Sequence, residues 1–250
     1  MSIDRLMKVL ETLAVAGRPI SATELQPMTG IPRPTCYRLL QSFAEHRFLD
    51  ETEQKSRFVI GAHLVQVALL AKTDAGVAGV VSPVMKEAAA QFGEAVFLAR
   101  LRSNNVSIIH VETPEHNNGS YFHPGFGKRP LHACSCSKAI AAFAREEFRE
   151  QVLNGQLKSF TKHTTADRQS LEAELLEVQK LGYAECVEEI ERGVSSVAAP
   201  IKIGGAGALF SVGAIGAIKR FDAKHRAKRG EKLMVIAEKI SSLIQFNGQF

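Results

Sequence analysis

A chain of 250 residues with 45% hydrophobic and 23% charged residues has the balance of a globular protein of one or two domains, which excludes disordered and fibrous classes. The net charge is +5, yet residues 1–60 carry eight Lys/Arg against seven Asp/Glu while residues 219–232 carry seven against two, so bulk basicity is no argument for nucleic acid at the N-terminal end. The longest uncharged stretch, Ile203 to Ile218, is shorter than the ~20 residues of a bilayer span, no charged segment runs into an apolar one at the start, and four cysteines fit reduced thiols of the cytoplasm; no membrane partner is expected.

The first predicted element is an amphipathic helix marked by Ile3, Leu6, Leu10 and Leu13 and broken at Gly17-Arg18-Pro19. Ser21 with Glu24 has the capping-box spacing of a second helix start. Leu25 and Met28 face its inner side, and Gly30 supplies the stop. Pro32 and Pro34 suit the first turn of a third helix, along which Cys36, Leu39, Leu40 and Phe43 form a buried stripe. Its other face presents Arg33, Thr35, Tyr37, Arg38 and Gln41. Two helices joined by a tight turn, the second polar and basic outside, have the geometry that enters a major groove. The plain alternative is a helical hairpin with a solvated face. Phe48 to Asp50 and Arg57 to Ile60 around a polar turn predict a hairpin wing, which sets Lys55 and Arg57 beside the sugar-phosphate backbone. Residues 1–61 therefore read as a winged helix-turn-helix, with Arg33 best placed for base edges.

Residues 62–81 predict a linker helix with Leu64, Val67, Ala68 and Ala71 along a side open to a partner chain, loosening at Gly76 to Gly79. Ser82-Pro83 reads as the N-cap and first residue of a new helix, which opens a second domain over 82–250. Ala95 to Leu101 and Val106 to Glu112 predict a hairpin, and His116 to Ser120 another turn. Helices are expected over Ser137–Ala144, Glu146–Leu153 and Asp167–Leu181, strands over Val194–Ile203 and Ala208–Ile215 around a glycine-rich turn, and a closing helix through Leu233, Ile236, Ala237, Ile240 and Ile244. The charged run Lys224 to Lys232 reads as a solvated helix face. Strands covered by helices make an α+β domain.

Several chemistries compete around residue 134. His132, Cys134 and Cys136 alternate, so on a strand they share one face, and with Cys186 or His123 they could hold zinc; a wall of small buried residues is the plainer reading. Ser135 and Lys138 match Ser-x-x-Lys, but no Ser-Asp-Asn or Lys-Thr-Gly partner accompanies them, and Lys138 is expected to reach solvent from a helix start. Cys136 with His132 lacks an orienting third group. No enzyme activity, metal or cofactor is assigned.

Five segments in order resemble the IclR-type bacterial transcriptional regulators: Ile31-Pro32-Arg33-Pro34-Thr35-Cys36-Tyr37-Arg38-Leu39-Leu40-Gln41-Ser42-Phe43, Phe58-Val59-Ile60-Gly61, Pro130-Leu131-His132-Ala133 before Lys138-Ala139, Gly182-Tyr183-Ala184 with Glu188-Glu189, and Gly193-Val194 leading to Val197-Ala198-Ala199-Pro200-Ile201. The resemblance implies a winged helix, a linker helix and a C-terminal GAF-like effector domain. It further implies homodimers or homotetramers on palindromic promoter DNA, controlled by a small organic molecule. Carried over, the effector-binding positions are Ser135, Cys136, Cys186, Ser196, Ser211 and Gly213. Cys186 stands where such regulators commonly have aspartate, Ser196 where cysteine, Gly213 where serine, and Ser137 where glycine. The lost polarity favours a bulkier, aromatic acid from a catabolic route over a simple keto acid. The alternative is a metal- or thiol-redox-responsive regulator using Cys134, Cys136 and Cys186.

Overall fold

A computed structural model describes residues 2–115, 122–203 and 206–246. The chain forms two compact units that divide between Ala71 and Lys72, earlier than the expected division at residue 82.

The first unit contains α1 (Ile3–Ala16), β1 (Ile20–Ser21), α2 (Ala22–Thr29), α3 (Arg33–Glu45), β2 (Leu49–Glu51), β3 (Arg57–Ile60) and α4 (Ala62–Ala71). Ser21 accepts from the Glu24 N–H while Glu24 accepts from the Ser21 N–H, a complete capping box, and α2 stops at a left-handed Gly30. Val9, Leu13, Ile20, Leu25, Cys36, Leu39, Leu40, Phe43, Leu49 and Phe58 make one core. The predicted stripe of α3 is buried as expected, but Ile3 is 74% and Met28 49% exposed. Val9 and Thr29 take the inner positions instead; Thr29 tolerates burial because its hydroxyl donates to the Leu25 carbonyl and accepts from the Ile31 N–H.

The wing is β2 paired antiparallel with β3, and β3 also pairs with β1, a third strand that two residues were too short to announce. Gly61 closes it: its N–H donates to the Phe48 carbonyl at 2.7 Å, and an added Cβ would lie 2.6 Å from the Arg47 carbonyl oxygen, so only glycine fits against this backbone.

The second unit begins with α5 (Asp74–Phe92). The expected restart at Ser82-Pro83 is wrong. Thr73 caps the helix through the Gly76 N–H and Pro83 lies inside it, and the Ser82 hydroxyl donates to Glu112 instead of capping. There follow β4 (Ala95–Arg102), β5 (Asn105–Glu112), β6 (Gly127–Lys128), α6 (Ser135–Phe143), α7 (Glu146–Leu153), α8 (Arg168–Leu181), β7 (Ala184–Val187), β8 (Val194–Lys202), β9 (Ala208–Ala217) and α9 (Ala223–Phe246). Among the described residues the strands form an antiparallel sheet in the order β6-β5-β4-β9-β8-β7. The β4–β5 turn holds Ser103 and Asn104 at positive φ, as a tight two-residue hairpin requires. The turn expected over His116–Ser120 lies outside the described residues.

Alternation along β9 sorts the two faces. Ser211 bonds the Cys136 carbonyl and Gly213 lies under Phe97, so this face meets α6. Gly216 meets Phe221 and Glu94 on the face toward α9. Lys224 to Lys232 is not simply a solvated run: Arg226 pairs with Glu185 at 2.6 Å, and Arg229 lies over the Phe221 ring.

Candidate nucleic-acid interface and effector pocket

Burial of Cys36, Leu39, Leu40 and Phe43 fixes which side of α3 is outside. Arg33, Tyr37 and Arg38 are exposed there, Thr35 and Gln41 partly so, and the Gln41 amide donates toward the Tyr37 hydroxyl at 3.5 Å. In the first turn of α3 the Thr35 and Cys36 N–H groups donate to the Pro32 carbonyl and Pro34 has no N–H, so the donors this end offers to phosphate oxygens and base edges come mainly from the Arg33 side chain.

On the wing the two cations differ. Lys55 is exposed at the turn. Arg57 is half-buried: its Nη1 donates to the Pro19 carbonyl at 3.1 Å and lies 3.1 Å from Glu24. Glu24 also accepts from Arg18, and that guanidinium, then the N–H and hydroxyl of Ser21, hold its carboxyl down to about 2. Arg57 therefore braces the wing against the capping box.

In the second unit, Cys186 on β7 pairs directly with Ser196 on β8, and Ser196 with Ile215 on β9, on the face that meets α6. Ser196 shares a hydrogen bond of 2.7 Å with Ser135 in the first turn of α6. Cys186 and Ser196 line a cavity of about 90 Å³ together with Phe122, Arg129, Cys134 and Ile215. Ser135 stands one hydrogen bond behind it. Ser211 and Cys136 are engaged with each other, hydroxyl to carbonyl at 3.2 Å. Gly213 faces the Phe97 ring, 2.3 Å from where its Cβ would be. Phe97 thus fills the space that a serine at 213 would need, which accounts for that departure.

Near residue 134 the expected solvent exposure of Lys138 fails, and the strand face on which the zinc alternative depended is not formed. His132, Cys134 and Cys136 share no strand face, because Cys134 is the N-cap of α6 and Cys136 lies in its first turn; the His132 Nε2 engages the Lys158 carbonyl at 2.9 Å. Among the described residues no three His, Cys, Asp or Glu side chains gather as a metal set. Lys138 does not reach solvent. It is fully buried, paired with Glu189 at 2.7 Å and with Glu174. Burial pushes the Glu189 carboxyl up to about 7 against the pull of Lys138, and one oxygen each of Glu174 and Glu189 has no partner. Burial likewise pushes the Cys186 thiol up to about 12. Cys136 is lowered, first because the Cys134 thiol donates to it.

Arg129 was not among the expected site residues. Arginine ahead of Pro-Leu-His gives no periodic or spacing signal; only the fold brings it beside Cys134 and Cys186.

Residues 2–53 match the IclR helix-turn-helix domain and residues 70–242 the bacterial transcriptional regulator IclR C-terminal domain. The chain is 28% identical over 202 residues to the transcriptional repressor IclR of Escherichia coli K12, covering 80% of this chain and 74% of that one. Its fold is that of the IclR transcriptional regulator of Alicyclobacillus acidocaldarius, with TM-score 0.63, 22% identity and 97% and 98% of the two chains covered. It is also that of an IclR homolog from Microbacterium hydrocarbonoxydans complexed with 4-hydroxybenzoate, with TM-score 0.61, 22% identity and 98% and 99% covered. With family matches to both units and a winged helix-turn-helix followed by the antiparallel α/β domain, the chain belongs to the IclR family of bacterial transcriptional regulators.

Proposed function

We propose that this regulator is a cytoplasmic homodimer or homotetramer that reads a palindromic promoter site of a catabolic operon through α3 and is controlled by a small organic acid bound in its C-terminal domain. The exposed cationic face of α3 over a fully buried stripe carries the first half of this reading. Arg33 contacts base edges, Thr35, Tyr37, Arg38 and Gln41 contact neighbouring edges and phosphates, and Lys55 holds the backbone. Arg57 supports the wing from within the domain. Arg33→Ala is expected to cost about 1 to 3 kcal/mol on the cognate site and to relax specificity at one position, whereas Lys55→Ala weakens all sequences alike and lowers the salt slope by about 1. Titration of both variants on specific and random duplexes checks this; equal losses on both duplexes for Arg33→Ala would sink the base-reading role.

The cavity between Cys186, Ser196 and the start of α6 supports the second half. An effector acts only through a difference in affinity between the DNA-competent and incompetent states, since equal affinity shifts nothing. The 4-hydroxybenzoate complex of the Microbacterium homolog makes aromatic acids a natural first panel. The thiol-responsive alternative would have to act through Cys136, which the Cys134 thiol lowers but which is buried; unchanged DNA affinity with mild oxidant, zinc or chelator removes it.

A further inference from the structure

Arg129 is held by two hydrogen bonds to backbone carbonyls and by the Cys134 thiol beside its guanidinium, and is unsatisfied at Nε. Its backbone N–H donates to the Val106 carbonyl at 2.8 Å, which fixes the segment after β6 along β5. Its Nη1 donates to the Pro124 carbonyl at 2.9 Å. Its head lines the cavity of about 90 Å³ beside Cys134 and Cys186. The Nε–H is buried and has no hydrogen-bond partner. A buried donor of a charged group left unmade is costly, and such groups are rare enough in folded proteins to call for an explanation. The Nε side of a guanidinium is also one of the edges on which arginine receives a carboxylate.

A second feature meets the same space. Cys134, which lines the cavity, is the N-cap of α6, and its side chain makes no capping bond. The first N–H groups of that helix therefore carry their partial positive charge without side-chain compensation. Against these donors the cavity sets the apolar walls of Phe122 and Ile215 and one carboxylate, Glu191. Cys186, protonated because burial raises it, adds no charge. Among the described residues of the lining Arg129 is the one guanidinium or ammonium, and the other basic group, the His123 ring, accepts from the Gly125 N–H at 3.0 Å.

We propose that Arg129 is the carboxylate anchor of the effector and that the effector is a small monocarboxylate, seated with its anionic end on the Arg129 Nε edge near the start of α6. This rests on reading the C-terminal domain as an effector binder. Dicarboxylates are rejected because their far end meets Glu191, an apolar wall, or a His123 ring whose Nδ1 is already taken by the Gly125 N–H. At ~10–15 Å³ of such volume per water-sized unit, the cavity holds roughly six to nine units, so small aliphatic acids fit as it stands and a benzoate ring requires it to widen.

The test is calorimetric titration of the full-length protein, wild type, Arg129→Gln and Arg129→Lys, with propionate, benzoate, their neutral amides propionamide and benzamide, and succinate. At least one monocarboxylate is expected to bind the wild type, with its amide and succinate far weaker. Arg129→Gln should lose about tenfold to a hundredfold in affinity and Arg129→Lys less, since it keeps the charge without the edge. Propionate alone binding marks an aliphatic effector; benzoate binding marks a cavity that widens. Affinity unchanged in Arg129→Gln, or amides binding as tightly as acids, overturns the anchor while the effector-domain reading stands. Succinate binding in preference to both monocarboxylates overturns the stated class. No binding by any of the five overturns both the class and the organic-acid reading. Melting of the unliganded variants separates lost binding from lost fold; if Arg129→Gln does not fold, unchanged affinity in Arg129→Lys with equal binding of acid and amide carries the refutation.

Discussion

At the scale of single residues, the buried Lys138 is the most consequential side chain outside the two sites. One ammonium faces two carboxylates, Glu174 from α8 and Glu189 from the segment after β7. Removing one partner of a buried pair strands the other charge, so Lys138→Ala is expected to destabilise the second unit by about 3 to 5 kcal/mol, and replacing Lys138 and Glu189 together by Met and Gln to recover part of that. Urea unfolding of the single and double variants measures both. The same site sets a pH dependence. Glu189 titrates at about 7 rather than at the 4.5 of an unperturbed glutamate, so the folded state holds its proton more tightly than the unfolded chain. Its contribution is full below pH 4.5 and is lost as pH rises through about 7. Melting temperature should therefore fall over that window by an amount that Glu189→Gln removes; a profile unchanged by Glu189→Gln would show that Glu189 is ionised throughout. The sequence could not announce this group, because a lysine three residues into a helix ordinarily snorkels, and only the arrival of two glutamates from distant segments makes burial tolerable.

At the scale of elements, local chemistry was most legible where it is self-contained. Ser21 and Glu24 bond each other within one turn, so their spacing alone predicted the cap. Ser21→Ala should cost about 1 kcal/mol of first-unit stability, read as a shift in denaturation midpoint; no shift would mean that the Arg18 and Arg57 contacts to Glu24 hold the turn without the hydroxyl. The buried stripe of α3 was equally legible from its period. Misreadings have common causes. Ile3 and Met28 have the right period but lie near the ends of their helices, where the core no longer reaches. The zinc alternative needed His132 to Cys136 to lie on a strand, and the alternation behind it is one that a turn and a helix start also produce. Ser82-Pro83 has the composition of a helix start, yet the pairing of Thr73 with Gly76 had already begun the helix a turn and more earlier.

For the molecule as a whole, that last difference decides where it may be cut. Arg100 is 3% exposed and donates to Asp74 at 2.5 Å and to the Lys72 carbonyl at 2.9 Å. A fragment beginning at Ser82 removes these partners and the first turns of α5, leaving a buried guanidinium stripped of them. A fragment beginning at Lys72 is therefore expected to melt several degrees above one beginning at Ser82; equal melting temperatures would show that the start of α5 adds nothing.

By itself the sequence determined the winged helix, which face of α3 is buried and which exposed, and the family, because caps, helical periods and turn residues act within a few positions and leave their spacing in the chain. It also carried the carried-over positions Cys186 and Ser196, which the sheet register sets side by side. What only the tertiary structure decided is the content of the second unit's interior: that Phe97 fills the place of a serine at 213, that Lys138 is enclosed by Glu174 and Glu189, and that Arg129 brings an unsatisfied donor to the cavity. Each depends on groups distant in the chain meeting in a medium of low polarity, where burial raises the energetic weight of every charge and every unmade hydrogen bond, and no local pattern records that meeting.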